Sequence, residues 1–425
     1  MRVRIRERAK QSPLVVLFFT IFLDLLGFGI LIPVIPQLLA NPASPYYLLP
    51  HGWNPNQGYI LLGVLSAVFP FCVFLAAPIL GQLSDRYGRK KLLAISLAGT
   101  CFGYIIFAFG IILRSIPILF IARSIDGITG GNIAVAQASI ADVTKPEDRA
   151  KNFGLIGAAF GLGFIIGPYL GGRLSDPATV SWFNASTPFW FAALLSFINI
   201  MLLLAILHET HKTPNRDLVI KWGRSLRNIA HAFAIRELRP LFTTTFLHNF
   251  GFSFYIAFFS VFLIHRFGFN QSSIGDYFAY VGLWVAFAQG VVTRFVSRIF
   301  REDQILRVSL FIVGIMILVV FVPHHWQWLL LIVPLFAMAN GLSFSNLSGL
   351  ISRSVGPSIQ GEILGIYSSV QSLAQAIPPV LSGFIAAAIT PESPVVVSAI
   401  VILTSGMVFN LWYQRPHRPA TPVQG

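Results

Sequence analysis

Long apolar segments follow one another along almost the whole chain, and this feature constrains the fold more than any other. Each segment is close to the ~20 residues with which an α-helix crosses a lipid bilayer. Only 11% of the 425 residues are charged, whereas soluble domains carry roughly 25%. The sequence therefore predicts an all-α integral membrane protein with twelve transmembrane helices. The segments are residues 14–39, 58–82, 92–113, 117–140, 152–172, 187–207, 240–265, 274–293, 308–323, 326–350, 363–388 and 394–413.

The first segment follows a basic stretch, RVRIRERAK, and in outline this resembles a signal peptide. It runs longer than a signal peptide, contains Asp24 and leads to no cleavage site. We therefore interpret it as the first membrane span.

Basic residues are distributed unevenly between alternate loops. Of the 30 Lys and Arg residues, 26 lie at the termini or in every second loop, and the intervening loops hold only Arg114, Arg173 and Arg266. Because cytoplasmic loops collect Lys and Arg, both termini are predicted to be cytoplasmic. These loops account for the net charge of +14. The sequence has no zinc-finger spacing and no RNA-binding signature, so nucleic acid is not an expected partner.

The longest basic loop separates six apolar segments from the next six. Within it, Leu226, Ile229, Ala230 and Phe233 follow a helical spacing, which predicts a helix on the membrane surface. A plain linker is the alternative. The predicted domains are an N-terminal six-helix half at 1–207, a cytoplasmic linker at 208–239, and a C-terminal six-helix half with a short tail at 240–425.

A proline-rich segment, residues 40–57, lies between the first two spans. Proline excludes a regular helix in this segment. It is interpreted as a loop that caps the outer mouth of the bundle or as a passive connector.

The two halves of the chain match when the sequence is shifted by 211 residues. Glycines and prolines coincide in one register, without a gap, across the fourth and fifth spans. The shift equals six spans, and since six is even both copies have the same orientation. This predicts two parallel six-helix halves that face one another, with a cavity between them near the middle of the membrane. The matching pairs are Gly130 with Gly341, Pro146 with Pro357, Gly154 with Gly365, Pro168 with Pro379 and Gly172 with Gly383.

Three ionisable residues lie in the middle of predicted spans: Asp24, Arg123 and Asp126. A charge inside the membrane is costly and marks a functional candidate. Arg123 and Asp126 are three residues apart on one helix and can pair, whereas Asp24 has no partner in its own span. Burial without a partner raises the pKa of carboxyl groups in general, so Asp24 is the first candidate for the proton-linked or cation-facing carboxylate. A purely structural ion pair with Arg123 is the alternative for either aspartate.

A glycine-rich basic loop, GQLSDRYGRKK at residues 81–91, joins the second and third spans. A carboxylate here can pair with a nearby arginine or accept hydrogen bonds from a helix N-terminus. Such a charge cluster is predicted to act as a conformational latch, and a basic loop that only sets membrane topology is the alternative. The latch candidates are Gly81, Asp85, Arg86, Gly88 and Arg89.

The fifth span contains GFIIGPYLGG at residues 163–172. Glycines on one helix allow another helix to pack closely, and a proline removes one backbone hydrogen bond and permits bending. A helix with a purely structural packing role is the alternative. The residues of this helix that we single out are Gly163, Gly167, Pro168, Gly171 and Gly172.

Together these motifs resemble the major facilitator superfamily. Residues 81–91 resemble its loop signature, and ARSIDGITGGN at 122–132 resembles its fourth-helix motif. The 163–172 segment matches the G-x-x-x-G-P-x-x-G-G motif associated with antiporters. FLDLLGFGILIPVIPQLL at 22–39 is similar to the first helix of the drug:proton antiporter branch, especially its tetracycline-efflux-like members.

The resemblance implies the major facilitator fold in a multi-pass protein of the cell membrane, with the bacterial inner membrane as the expected location. It also implies a role for Arg123 near the proton path. The sequence departs from the family at Asp126, where many members carry a neutral polar residue.

The charges of the fourth span have no counterpart in the second copy, because the shift places Arg123 on Pro334 and Asp126 on Ala337. Proton chemistry is therefore expected in the first half, and many substrate contacts in the second. Aromatic walls with few polar groups suit an amphipathic ligand, and packing or interhelical bonding is the alternative for each polar residue. The cavity candidates are His248, Asn249, Tyr255, Gln289, Asn340, Gln371 and Gln375.

The sequence thus predicts a proton-coupled secondary transporter that exports small amphipathic or drug-like compounds by alternating access. Its expected partners are the substrate, protons and the lipid bilayer, and it is expected to be a monomer. The sequence has no ATP-binding motif, metal cluster or nucleophile–base constellation, so no cofactor, bound metal or enzymatic activity is expected. The alternatives are a proton-coupled nutrient symporter and a non-transporting membrane sensor.

Overall fold

The computed structural model of the protein describes residues 2–50, 52–144, 149–211, 220, 223–354 and 360–414. These residues form sixteen α-helices in sequence, joined by short turns and loops. The helices are α1 (Arg2–Leu39), α2 (Pro55–Tyr87), α3 (Arg89–Ile112), α4 (Ile116–Thr129), α5 (Asn132–Val143), α6 (Arg149–Leu174), α7 (Thr187–Ile206), α8 (Arg224–Ala234), α9 (Arg239–Phe267), α10 (Gln271–Phe287), α11 (Thr293–Ile299), α12 (Glu302–Val319), α13 (Leu329–Arg353), α14 (Gln360–Ala376), α15 (Pro378–Ala388) and α16 (Ser393–Trp412).

Ten stretches among the described residues are long and apolar enough to cross a membrane. Three of them join consecutive helices, namely α4 with α5, α10 with α11, and α14 with α15. Helix α6 follows the fourth of these stretches, and α12 follows the stretch that joins α10 with α11. Counted in chain order, they are the fifth and ninth of twelve helical segments, six in each half. The all-helical membrane fold predicted from the sequence is confirmed.

Three spans are interrupted near their middle. Gly130 and Gly131 separate α4 from α5, and a side chain at Gly131 would place its Cβ 2.7 Å from the Cα of Ala77 on α2. A short π-helix separates α10 from α11, and Ile377 separates α14 from α15. Local departures from regular α-helix of this kind are frequent at functional sites.

Each half has its own apolar core. In the first half, Leu17 of α1 and Leu93 of α3 are buried in the same cluster as Ile140 of α5. In the second half, Phe242 of α9 and Leu310 of α12 share a cluster with Phe409 of α16. Each half therefore has packing of its own, as rocking of two halves requires.

The halves touch at one end of the bundle. We call the end that carries the 83–91 loop and α8 the basic face, and the other end the opposite face. At the opposite face Gln37 Nε2 donates to the Phe269 carbonyl at 3.1 Å, and Asn56 Nδ2 donates to the Ala387 carbonyl at 3.0 Å. Both bonds join the first half to the second.

Two glycine contacts close the opposite face. A Cβ on Gly172 of α6 would lie 3.1 Å from Cα of Gly275 on α10, and a Cβ on Gly63 of α2 would lie 3.0 Å from Cα of Gly383 on α15. Gly172 and Gly383 are partners in the 211-residue repeat. Each copy of the repeat thus has a glycine at the same position, and each of these glycines allows close contact with a helix of the other half.

Towards the basic face the same helices separate. Gly157 of α6 and Gly290 after α10 have no neighbouring atom within 4 Å of a built Cβ, and the same holds for Gly81 of α2 and Gly365 of α14. In the described residues, the hydrogen bonds and ion pairs that join the six-helix halves lie towards the opposite face. The structure is therefore closed at the opposite face and open at the basic face.

The proline-rich segment ends earlier than the sequence predicted, because α2 begins at Pro55. Proline is compatible with the first helical position, where its missing N–H costs nothing. Leu48 and Leu49 of this segment are buried in the first-half core, and Arg114 donates to the Tyr47 carbonyl at 2.5 Å. The segment is packed onto the first half at the opposite face.

Helix α8 packs against the second half. Ala232 is fully buried there, and Asn228 Nδ2 donates to Ser369 Oγ on α14 at 3.2 Å. The contact ties the segment between the halves to the second half at the basic face.

Candidate functional site

The polar centre of the first half is built by four helices. Helix α1 contributes Asp24, α3 contributes Tyr104, α4 contributes Arg123 and Asp126, and α5 contributes Asn132. Because α5 begins immediately after the Gly130–Gly131 break, its first side chain lies among those of the neighbouring helices rather than continuing the face of α4.

Arg123 and Asp126 form a buried ion pair. Arg123 Nη1 lies 2.8 Å from Asp126 Oδ2, and the two residues are 4% and 5% exposed. The guanidinium carbon lies 4.5 Å from the ring centroid of Phe69 on α2, a favourable cation–π distance. Each charge is thus neutralised by its neighbour, as the spacing of three residues predicted.

Asp24 has no such cation. Its Oδ2 is buried and has no hydrogen-bond partner, and in the described part of the chain it forms no ion pair. Asn132 lies beside the carboxyl, and the charge of Asp126 acts on it. Because Arg123 is engaged with Asp126, Asp24 can gain or lose a proton without breaking an ion pair.

Tyr104 brings α3 against this centre. Its hydroxyl packs directly on Gly27 of α1, one helical turn after Asp24, and no other residue type leaves room for it. Its ring lies near both aspartates and lines a narrow crevice with Arg123 and Asp126.

Sequence reasoning did not single out Tyr104 or Asn132. Tyrosine and asparagine are common in membrane helices, where they bond neighbouring helices, so neither type stands out as a charge does. The Gly130–Gly131 pair before Asn132 was the available signal, since it marks the helix break that directs this side chain inward.

The latch candidates form a second polar cluster at the basic face. Arg89 Nη2 lies 2.7 Å from Asp85 Oδ1, Arg89 Nε lies 3.2 Å from Asp142 Oδ2 on α5, and Arg89 also donates to Ser84 Oγ. Arg86 is directed elsewhere and stacks on Tyr87.

The N-terminus of α3 is capped from outside the motif. Gly88 adopts φ +98°, and the Glu209 carboxylate, which follows α7, accepts from the backbone N–H of Arg89 at 2.8 Å. An anion at a helix N-terminus is stabilised by the dipole. The cluster thus connects helices of the first half, and Gly81 contacts nothing across the gap in this conformation.

The glycines of α6 serve two different interfaces. Cβ atoms at Gly163, Gly167 and Gly171 would meet α1 at 2.6, 2.6 and 2.5 Å, whereas one at Gly172 would meet the Gln271 carbonyl of α10 at 2.6 Å. Pro168 lies against Gly29 of α1. One stripe therefore holds the first half together, and Gly172 alone among these four faces the second half.

A charged contact accompanies Gly172 at the opposite face. Arg173 Nη2 lies 2.7 Å from Asp276 Oδ2, and Ser272 Oγ donates to Asp176 Oδ2 at 2.6 Å. Asp276 of α10 thus pairs with Arg173 of α6 across the two halves. A partner on a distant helix could not be identified from local sequence.

The second-half candidates divide by exposure. His248, Asn249, Tyr255 and Asn340 are buried, and His248 lies between the rings of Phe252 and Phe344 with neither ring nitrogen bonded. The Tyr255 hydroxyl lies beside that of Tyr277, and both residues belong to one buried aromatic cluster.

The three glutamines are more accessible. Gln289 follows α10 at the π-helix, Gln371 donates to the Tyr367 hydroxyl at 3.1 Å, and Gln375 is exposed. Their assignment to a substrate cavity remains a prediction. In the described residues, no three His, Cys, Asp or Glu side chains are grouped to hold a metal ion.

The fold has clear relatives. The family profile described as Major Facilitator Superfamily matches residues 17–379 and 241–425. The chain is 32% identical over 381 residues to the tetracycline resistance protein, class H, of Pasteurella multocida, covering 88% of this chain and 89% of that protein. It is 31% identical over 372 residues to the class C protein of Escherichia coli, covering 87% and 89%.

Solved structures agree at the level of fold. The human organic anion transporter MFSD10 (TETRAN) superimposes with a TM-score of 0.69 at 24% identity, covering 94% of this chain and 99% of that one. A bacterial homolog of the human lysosomal transporter Spinster, in an inward-facing and unoccupied conformation, gives 0.73 at 12% identity, covering 95% and 96%.

Two six-helix halves that meet at one face around a buried polar centre, together with this family match and these relatives, define a multi-pass membrane transporter of small molecules. The extent of the family match then makes the assignment specific. The chain belongs to the Major Facilitator Superfamily.

Proposed function

We propose that the protein is a proton-coupled antiporter that exports small amphipathic, drug-like compounds, and that it works as a monomer. The 26-to-3 distribution of basic residues supports a cytoplasmic position for the basic face and both termini. With that orientation, the structure is open to the cytoplasm, the side from which an exporter loads its substrate.

The observation that carries the proposal is the Asp24 carboxyl, which lies in the middle of a membrane span without a cation. Intramembrane carboxyls are expensive and serve proton transfer in many pumps and transporters. The Arg123–Asp126 pair beside it is neutral as a unit, so a change of charge at this centre falls on Asp24.

Support for the substrate class comes from the second half and from the relatives. The half-buried Gln289 and Gln371 and the exposed Gln375 offer amides, and Gln371 donates to the hydroxyl of the aromatic Tyr367. Polar groups beside aromatic side chains suit an amphipathic ligand. Relatives at about a third identity are named for tetracycline resistance, which favours compounds of that general kind without fixing tetracycline as the substrate.

In the proposed cycle, the cytoplasm-open form releases a proton from Asp24 and takes up substrate. The halves then rock, the opposite face opens, and a proton from outside replaces the substrate. The Arg173–Asp276 contact is made in the cytoplasm-open form and must break in each turn.

The test is tetracycline transport by purified protein in proteoliposomes under an imposed pH gradient, with Asp24→Asn as the variant. We expect wild type to accumulate the compound against its gradient. Asp24→Asn should retain exchange down a gradient and lose the response to pH, because the amide cannot exchange a proton.

Asp303→Asn is a matched control, since it also removes a carboxylate but one that pairs with the exposed Arg301 at the start of α12, and it should keep the pH-driven accumulation. If Asp24→Asn transports and still couples to protons, Asp24 is not the carrier. If substrate and protons move in the same direction, the protein is a symporter and the proposal is wrong.

A further inference from the structure

Asn132 is a buried amide in an unusual situation. It is fully buried, and neither Nδ2 nor Oδ1 has a hydrogen-bond partner. Leaving a buried polar group unpaired costs roughly 1–3 kcal/mol. A residue that only filled space at the start of α5 would not need an amide.

The other unpaired group at this point is the Asp24 carboxyl. Asp24 Oδ2 is buried without a partner, and the Asn132 side chain lies beside it. The titratable groups that face Asp24 in the described residues are Tyr104 from α3 and Asp126 from α4, and Asp126 is already paired with Arg123. The Asn132 N–H is therefore the available donor for the carboxylate.

We propose that Asn132 is a positioning residue that stabilises the deprotonated Asp24 by donating from Nδ2 to the carboxylate. This inference rests on the proposed role of Asp24 in proton coupling. Asn132, a neutral amide, would stabilise the Asp24 carboxylate as the Arg123 cation stabilises that of Asp126.

The chemistry favours this division. Hydrogen bonds to an ionised acceptor are roughly twice as strong as those between neutral groups. The amide therefore favours the deprotonated state of Asp24, whose proton has been released to water at the open face. An amide adds no charge, so the protonated state is not penalised by a permanent ion pair. Asp24 can then cycle between both states, whereas Asp126 is held in an ion pair with Arg123.

The location of Asn132 brings its side chain to the polar centre of the first half. It is the first residue of α5, directly after Gly130 and Gly131, and Gly131 is pressed against α2. Because this break ends α4 before Asn132, α5 can present its first side chain to Asp24 on α1.

The test is a pH titration of the full-length protein in lipid, followed by infrared difference spectroscopy. The Asp24 carboxyl band is identified by its absence in Asp24→Asn. In Asn132→Leu, an apolar side chain of similar size, we expect the midpoint to move to higher pH by about tenfold in proton concentration, because the carboxylate loses a charge-assisted bond. Asn132→Thr keeps a donor and should stay near wild type.

Asn346→Leu is the matched control. Asn346 is also buried in a membrane helix, but its Nδ2 bonds to the Leu342 carbonyl of its own helix, and its replacement should leave the Asp24 midpoint unchanged. If Asn132→Leu does not fold, Asn132→Ala takes its place.

An unchanged midpoint, or one displaced to lower pH, in Asn132→Leu or its alanine substitute overturns the role of Asn132. That failure is distinct from failure of the proposed function, because the band reports Asp24 without transport. If the Asp24 band titrates but Asp24→Asn transports with coupling intact, the proposed function fails instead.

Discussion

At the scale of residues, the first half contains two aspartates in contrasting surroundings. Asp126 lies 2.8 Å from Arg123, whereas Asp24 forms no ion pair with any residue that the structure describes. Their spacing in sequence indicated the ion pair, since residues three apart share a helix face. The environment of Asp24 depends on α3 and α5, and no local pattern shows which helices will surround a given residue.

The Arg123–Asp126 pair gives a prediction about stability. Removing one partner of a buried pair leaves an uncompensated charge and costs about 3–5 kcal/mol, whereas replacing both with apolar residues is often neutral. We expect Arg123→Met and Asp126→Leu each to lower the free energy of unfolding by that amount, and the double variant to recover most of it. Unfolding in detergent by denaturant measures all three.

Arg353→Met provides the comparison, because Arg353 pairs with Glu302 at 3.2 Å while 77% of its side chain is exposed. Exposed pairs contribute about 0–1 kcal/mol. Equal losses at the buried and the exposed pair, or a double variant as unstable as the single ones, would show that the pair is not compensated as described.

At the scale of elements, two neighbouring glycines of α6 belong to two different interfaces. A Cβ at Gly171 would meet Ile30 of α1 within the first half, and a Cβ at Gly172 would meet Gln271 and Gly275 of α10 across the halves. The sequence motif predicted close packing for the whole stripe. It could not tell which glycine faces which half, because that depends on how α1 and α10 are placed.

The contrast predicts different outcomes for two similar substitutions. Gly171→Ala overpacks the interior of one half and should lower stability by about 1–3 kcal/mol. Gly172→Ala should leave stability of the fold nearly unchanged and shift the equilibrium away from closure of the opposite face.

Spin labels at Thr179 and His325, exposed positions at the opposite face in different halves, report that equilibrium by their distance distribution. A longer distance is expected in Gly172→Ala and an unchanged distribution in the folded fraction of Gly171→Ala. The reverse pattern would mean that the two glycines have been assigned to the wrong interfaces.

At the scale of the whole molecule, hydropathy and basic loops were enough to predict a two-half membrane bundle. The 211-residue repeat was also informative, since it pairs Gly172 with Gly383, the two residues that close the opposite face. The conformation itself could not be predicted. Closure at one face depends on weak cross-half contacts such as Arg173–Asp276 and Gln37–Phe269, and their partners are far apart in sequence.

In the proposed cycle the cavity between the halves takes up the proton and the substrate in turn. In that cycle, substrate that binds to the cytoplasm-open form displaces the proton from Asp24. A transporter that carries both in the same direction would bind them together, so the direction of proton movement on binding separates the two cases.

The most direct measurement is the pH of a lightly buffered solution of purified protein when tetracycline is added. The account predicts acidification for wild type, as protons leave, and no change for Asp24→Asn. Alkalinisation on addition of substrate, or acidification that persists in Asp24→Asn, would contradict it.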